Sequence, residues 1–544
     1  MRFNNTELVP KIFTISFFIL LFFVGFYVIR DYGATLDDEH YRQNGLLTYQ
    51  YLKNLILNLF IFLNFISETT VKNENLNILE FTNPMFEVFL AFISDILNLK
   101  TTSKIYLLSH FLNFLIYFIS LLFFFKLTSK IFKSNFYGFF SVIILFFTPR
   151  IFAESFYNSR DIFFLSFFIF NIYAAYIFLF NENIKNAILF SLTSAILIDI
   201  KIVGALPVIL FIFFYFLNSL TNTGFKNKEI KFIFLIASIT FFFIFTFWPY
   251  LWSDPIDNLI YIFSSIAEHH ESTTDVMNLY LGKFISSNNA PWHYRIVWFM
   301  FTVPTFVLFF FITGYIFVFI DIVRGFLNYD KTKNDIWKNK NEMFIFYLFA
   351  NIVLIFIFTI KFSNIQFGGW RHIYFLYPLT IIFSLIGFKF IIHLSEKIIP
   401  KIFILLTIVA NLFYVILWSY INHPHQQIFF NLISKNYAIK NFDLDYWGLS
   451  NLYSLKYILN NNENFPVKIA TISYSSLNEN ILMLKESRKK DIILVHNLEE
   501  ADFLINNYMR RIRKNFIVDE NKYSKYFEIV VDTIPINTVY KKIN

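Results

Sequence analysis

The sequence predicts an α-helical polytopic membrane protein of about eleven transmembrane helices, with a small α/β domain at its C-terminal end. Three observations carry this. Hydrophobic residues fill 56% of 544 positions, with 79 Phe and a mean hydropathy of +0.53, so most of the chain has lipid as its solvent. Apolar stretches long enough to cross about 30 Å of hydrocarbon recur along the chain, separated by short polar loops. After Tyr420 the long apolar runs stop, and 425–544 shows short, mixed strand and helix patterns.

The first span, Ile12 to Ile29, runs into Arg30, Asp31, Tyr32 and Gly33 with no small-residue cleavage site, which predicts a retained signal anchor. Directly behind it stand Asp37, Asp38 and Glu39, three adjacent carboxylates at a membrane surface. A solvated stop signal would also place charge there. The rest of the first external loop, 31–103, contains Leu55 to Ile66 and Met85 to Ile96, apolar runs too short to span and suited to helices lying in the interface. Asn83 and Pro84 predict the start of the second, with Asn as cap and Pro in the first turn.

Further spans are predicted near 104–126, 136–153, 160–180, 186–200, 203–220, 231–249, 296–320, 343–361, 372–393 and 401–420. The joint between 186 and 220, broken by Asp199, Lys201, Gly204 and Pro207, reads as two short spans or a re-entrant pair. With the N-terminus cytoplasmic, the inner loops hold Lys126, Lys130 and Lys133; Lys185; Lys226, Lys228 and Lys231; Arg324, Lys331, Lys333, Lys338 and Lys340; and Lys397 and Lys401. This is the asymmetry of the positive-inside rule. An odd span count sends 425–544 to the opposite, external side. In that segment Val467 to Ser473, Asp491 to His496 and Phe527 to Asp532 read as strands, and 450–461, 476–488 and 498–513 as helices.

With no cysteine, disulfides and thiolate metal sites are excluded. The net charge of +8 is scattered through short loops, so membrane orientation explains it and nucleic acid does not. His269, His270 and Glu271 invite a metal site, but adjacent histidines point different ways on a helix and the spacing matches no standard ligand set; no metal is expected. Glycine-rich phosphate loops, GxSxG and HExxH are absent from the sequence.

The order of several short motifs resembles the superfamily of protein O-mannosyltransferases and aminoarabinose transferases (glycosyltransferase family 39-like), integral membrane glycosyltransferases of the C-type fold. Those motifs are Asp38–Glu39, the platform Asn83 to Asp95, the Glu154 to Asp161 turn, Asp199 to Lys201 before Pro207, the exit Trp248 to Trp252, Ala290 to Arg295, and Gly368 to Pro378. His423 to Gln426 and Phe442 to Ser450 resemble a bacterial subgroup with an external C-terminal domain. The resemblance implies a transmembrane glycosyltransferase domain over 1–424 and a periplasmic α/β domain over 425–544, in the bacterial inner membrane. It implies inverting transfer of a sugar, mannosyl-like, hexosyl or pentosyl, from a polyprenyl-phosphate donor to a hydroxyl on a protein, lipid or envelope-glycan acceptor, protein O-linked glycosylation being one form. The lipid-linked sugar is a substrate; no separate cofactor is expected.

Under that resemblance Asp38 is the general base, Glu39 orients base or acceptor, and Asp37 is an extra carboxylate that leaves the base open between 37 and 38. The leaving lipid phosphate needs a fixed cation, for which Arg371 and His372 come first, with Lys201 and Arg160 behind them. His293, flanked by Trp292 and Tyr294, is expected with Trp252 to line the sugar or acceptor pocket. Plainer readings exist for each: interfacial snorkelling for Arg371, pairing with Asp199 for Lys201, a local Arg160–Asp161 ion pair at a helix start, and an interfacial aromatic belt for the Trp and Tyr residues. The rival function is a transporter or flippase for a lipid-linked or anionic substrate, since Asp199, Lys201 and Arg371 would also suit a substrate pathway. No internal repeat supports it. A membrane scaffold presenting the external domain would have no use for three clustered acids.

Overall fold

A computed structural model describes residues 5–62, 83–222, 227–268, 276–327, 336–362, 366–395, 397–509 and 518–543. The chain is a helical, multi-pass membrane protein with a small C-terminal α/β unit. Each of the eleven apolar stretches falls on helical structure. Among the described residues, eight helices are long and apolar enough to cross a membrane, and Asn135–Phe147 with Pro149–Tyr157 makes a ninth if that bent pair is one span. Asn5–Val28, apolar only from Ile12, and the 17-residue Ile184–Ile200 fall short of the same length.

Prolines explain the departures from the expected boundaries. Thr148, extended at ψ 112° ahead of Pro149, turns the chain by 68° between two helices where one span over 136–153 is expected. Val303, extended at ψ 138° ahead of Pro304, divides the expected 296–320 span into Tyr294–Thr302 and the crossing helix Thr305–Leu327. At the 186–220 joint, extended Lys201 and a 3-10 turn over Ile202–Gly204 separate Ile184–Ile200 from Ala205–Asn222.

Two helices are central. Buried residues make up 78% of the apolar stretch of Asp161–Phe180 and 72% of Arg371–Leu394, against 11% for Asn227–Phe247 and 17% for Ile398–Ile421. The Arg371–Leu394 segment is locked to Thr305–Leu327 by close backbone approach: a Cβ on Gly314 would lie 1.9 Å from the Phe383 carbonyl oxygen, and one on Gly387 2.1 Å from that of Phe310. Paired small residues let helices meet this way in lipid, where apolar burial gives helices no preference for each other over acyl chains.

At one end of the bundle, Asp38–Phe62 continues the acidic cluster as a single helix and packs on Met85–Ile96, so the run from Leu55 is the end of a longer element. Residues 63–66 of that run lie outside the described residues. Pro84, and not Asn83, holds the cap position of Met85–Ile96; the Asn83 amide donates to the Phe247 carbonyl.

The same end carries a hairpin, β1 (Met277–Tyr280) with β2 (Lys283–Ser286), and a five-stranded sheet of β3 (Val467–Thr471), β4 (Ile492–Leu494), β5 (Phe503–Asn506), β6 (Tyr523–Val531) and β7 (Ile534–Lys542), in the order β4-β3-β5-β7-β6. β3 runs parallel to β4 and β5, and β7 antiparallel to β5 and β6. The helix Asn451–Asn461 packs Leu455 and Ile458 against Val467, Ile469, Phe503 and Val539. The helix expected over 498–513 is, in its described part, a 3-10 turn, Leu498–Glu500, followed by β5, and 510–513 lie outside the described residues. A short apolar run buried on both faces has no period by which to distinguish strand from helix. Phe430, Phe442, Trp447 and Leu449 belong to the transmembrane core, while the sheet's own core starts at Leu452.

Candidate active site

The polar centre of the molecule forms where the first turn of Asp161–Phe180, the end of Ile184–Ile200, the turn at Arg371 and the start of Asp38–Phe62 meet. Asn158 builds the first corner. Its Oδ1 accepts from the Asp161 backbone N–H at 2.9 Å, satisfying a free donor of the helix start, and its amide donates to Asp161 Oδ2 at 2.9 Å and Glu154 Oε2 at 2.5 Å. Tyr374 donates to the other Glu154 oxygen at 2.7 Å. The buried Asp161 carboxylate then holds two cations. Lys201 Nζ donates to its Oδ1, and Arg371 Nη1 lies 3.7 Å from Oδ2.

Two expected ion pairs are corrected by this corner. Lys201 pairs with Asp161 and not Asp199, because extended backbone at 201 turns its side chain off the helix that carries Asp199. Both Asp199 oxygens are buried without a hydrogen-bond partner among the described residues. Arg160 does not pair with its neighbour Asp161. Its guanidinium stacks on Tyr41 at 4.0 Å, and its Nη2 is buried without a partner among the described residues.

Arg371 is 7% exposed, too buried for a snorkelling side chain. Its guanidinium lies 4.5 Å from the Trp447 ring, 4.8 Å from Phe367 and 5.8 Å from Tyr446, and its Nε has no partner among the described residues. Gly368 and Gly369, at φ +66° and +74°, make the approach possible: a Cβ on Gly368 would sit 3.0 Å from Arg371 Nε and 3.2 Å from Tyr446. His372 meets the edge of Phe367.

The three acids have different surroundings. Glu39 is engaged, taking Arg42 in two hydrogen bonds at 2.8 and 2.6 Å together with Gln43 and the Tyr106 hydroxyl; burial opposes its charge most strongly of any one cause, but the hydrogen bonds from Arg42, Gln43 and Tyr106 and the Arg42 charge together outweigh it and hold its pKa below the usual value. Asp38 accepts from the Thr35 backbone N–H at 2.7 Å and the Thr35 hydroxyl at 2.6 Å, at the wall of a narrow cleft of about 20 Å³ shared with Tyr41, Glu87 and Tyr106. Burial pushes its carboxyl up to about 8 against the pull of the Thr35 hydrogen bonds, and the charges of Asp37 and Glu87 add to the rise. Asp37 stands near enough to Arg371, Tyr41 and Tyr446 for its charge to act on all three, so the acidic loop and the cation cluster face one another.

The expected sugar pocket is only partly assembled. Tyr294 is buried and its hydroxyl accepts from the Gly369 N–H at 3.3 Å, which ties it to the Arg371 turn. His293 Nδ1 lies 2.6 Å from the Tyr280 hydroxyl, and Trp292 is 62% exposed beside it. Trp252 donates to the Phe245 carbonyl at 2.6 Å and its ring neighbours Tyr51, so it is not brought to the cluster. A much larger groove of about 1430 Å³ opens elsewhere, between Asn5–Val28, Thr102–Phe132 and Ile398–Ile421, with mostly apolar walls that also include Arg30, Asp31, Lys104 and His423; neither Asp161 nor Arg371 lines it. Among the described residues no group of three or more His, Asp or Glu could hold a metal ion, and His269, His270 and Glu271 lie outside them.

Asn158, Glu154, Tyr374, Thr35 and Trp447 complete the site and are missing from the expected set. The Glu154–Asp161 turn, Gly368 to Pro378 and the Phe442–Ser450 stretch, all among the resembling motifs, contain Glu154, Asn158, Tyr374 and Trp447; nothing in the sequence points to Thr35.

Fold and site together define a polytopic membrane protein with a charged, buried centre at one end of its bundle, closed over by the chain that follows its last span. No protein-family model matches this chain, and no curated protein sequence does. Among solved structures it is similar to the oligosaccharyltransferase AglB of Archaeoglobus fulgidus, in complex with an inhibitory peptide and a dolichol-phosphate, at 10% identity and a TM-score of 0.47, over 92% of this chain and 70% of that one. It is also similar to ArnT of Cupriavidus metallidurans, an aminoarabinose transferase, in its undecaprenyl-phosphate-bound form (11% identity, TM-score 0.44, 96% of this chain and 97% of that one) and in its apo form (10% identity, TM-score 0.46, 97% and 98%).

Proposed function

We propose that this protein is a glycosyltransferase that moves a sugar from a polyprenyl-phosphate donor to an acceptor hydroxyl, with inversion, at the end of the bundle that carries the acidic loop. The observation that carries the proposal is that the acidic loop, with Asp38 beside Asp37, brings the Asp37 charge to bear on the buried Arg371, which shares Asp161 with a second cation, Lys201. A hydroxyl is a poor nucleophile until a carboxylate takes its proton, and a departing lipid phosphate needs fixed positive charge where the bond breaks. Asp38 is assigned the first task, because a carboxyl pushed up to about 8 is matched to proton transfer near neutral pH. Arg371 is assigned the second: its partnerless Nε–H lies on the edge shared with Nη2, one of the guanidinium edges that take phosphate oxygens in pairs, while Nη1 faces Asp161. Lys201 adds a point charge, while Glu39, held by Arg42, keeps the loop in place.

Charge asymmetry supports an external site, and the motif resemblance supports a bacterial inner membrane. The opposite end of the bundle holds Glu182 with Lys228 and Lys340, part of the Lys-rich set expected to face the cytoplasm. The test supplies polyprenyl-phosphate sugars and a panel of protein, lipid and glycan acceptors to the full-length protein in detergent, where no gradient exists. Sugar transfer that is lost in Asp38→Asn and reduced in Arg371→Ala is expected; substrate flux in sealed vesicles with no transfer across the panel would establish a transporter instead.

A further inference from the structure

We infer that Trp447, on the chain segment after the last span, is a positioning residue that fixes the plane of the Arg371 guanidinium and keeps its N–H groups unspent for a lipid phosphate; the inference rests on the donor-phosphate reading of Arg371. A buried guanidinium is usually stabilised by carboxylates or carbonyls, which consume its donors. Here Asp161 reaches Arg371 only at 3.7 Å, while Trp447, Phe367 and Tyr446 surround the cation with ring faces. Aromatic faces offset the charge without accepting its hydrogen bonds. The Nε–H is accordingly buried and has no acceptor among the described residues.

Trp447 is itself held rigidly. Ser476 Oγ donates to the Trp447 carbonyl at 2.8 Å and to that of Gly448 at 3.1 Å, and the buried Asp445 accepts from the Leu449 and Ser450 N–H groups at 3.2 and 3.3 Å. Gly448 takes φ +71°, and a Cβ there would meet Ser476 Oγ at 2.7 Å. A loop braced at both ends can set the orientation of a side chain that the membrane helix alone leaves free to rotate.

The experiment measures binding of undecaprenyl phosphate to the full-length protein in detergent, for Trp447→Leu, Trp447→Phe, Arg371→Ala and the Trp447→Leu/Arg371→Ala pair. Trp447→Leu is expected to weaken binding roughly tenfold, the scale of one desolvated cation–π contact. Phe should restore most of it by restoring a ring face. Once Arg371 is gone, Trp447→Leu should cost nothing more, because a residue acting through another has no effect in its absence. Unchanged binding in Trp447→Leu, additive losses in the pair, or a Phe variant as weak as Leu would each overturn the inference. Unchanged binding in Arg371→Ala would instead remove the donor-phosphate reading beneath it. Should the Leu variant fail to fold, Trp447→Met, nearer in volume and equally without a ring, carries the same comparison.

Discussion

Replacing Asp161 by Asn would remove one negative charge from between two buried cations. The carboxylate is 3% exposed, and Lys201 and Arg371 both depend on it. At the 3.7 Å of the Arg371 contact, with an effective dielectric of about 20, each attraction is worth about 4 kcal/mol, most of which offsets the cost of taking the ions out of water. Losing the shared partner leaves both cations uncompensated, so destabilisation of about 3 to 5 kcal/mol is expected. The cap survives, since Asn158 Oδ1 takes the backbone N–H of residue 161, which the substitution leaves intact. The assay is thermal unfolding in detergent, with and without undecaprenyl phosphate. The unfolding midpoint should fall sharply, and the added phosphate should restore more stability in Asp161→Asn than in the parent, because the freed cations bind an anion more tightly. An unchanged midpoint, or weaker phosphate binding in the variant, would refute the picture of Asp161 as the counter-ion of the site.

Asp38→Asn should lower the transfer rate by about 10² to 10⁴ while the protein stays folded, and an active Asp38→Asn beside an inactive Asp37→Asn would move the base one residue earlier. Asp38 must lose its proton to act, so activity should rise with pH through about 8; the same raised pKa means that its protonated form favours the fold at lower pH, a contribution lost as pH rises through that value. A rate already flat from pH 6 upward would show that another group is the base. Arg371→Lys should lose much of the activity and Arg371→Ala more, since one ammonium cannot reproduce the paired hydrogen bonds of a guanidinium; full activity with Lys would make Arg371 a structural cation. A reporter fused behind the C-terminus should be external and one inserted near Asn334 cytoplasmic, and finding both on one side would break the topology.

Periodicity and length made the helices legible, because lipid demands long apolar runs and punishes exceptions. Boundaries failed where Pro149 and Pro304 break runs that composition presents as continuous. Asp37 to Glu39 and Arg371 were legible as unusual charges near span ends, whereas the Lys201 partner was not: Asp199 is two residues away in sequence, and Asp161, the actual partner, comes from the helix before it. Pairings across helices depend on rotation about helix axes, which composition leaves unspecified. Trp447 and Asn158 lie inside resembling stretches, yet their roles were not legible for the same reason, as each matters only through what the fold sets beside it. In the C-terminal unit β5 was lost to a helical pattern, while β3 and β4 were found where expected.

The clamp between Asn480 and Ala34 bears on how such a protein could be recombined. The Asn480 carboxamide accepts from the Ala34 N–H and donates to its carbonyl, both at 3.0 Å, so at position 34 the contact is made by main chain. Next to it, a Cβ on Gly33 would come within 2.4 Å of Asn480 Oδ1 and 2.7 Å of the Leu449 carbonyl oxygen. Loop and cap therefore fit as lock and key at a single amide plane. A chimera that grafts the sheet region of another protein behind residue 450 would need to import an amide side chain at the equivalent of 480 and keep glycine at 33, or the cap would lose its seat only three residues before the acidic cluster begins.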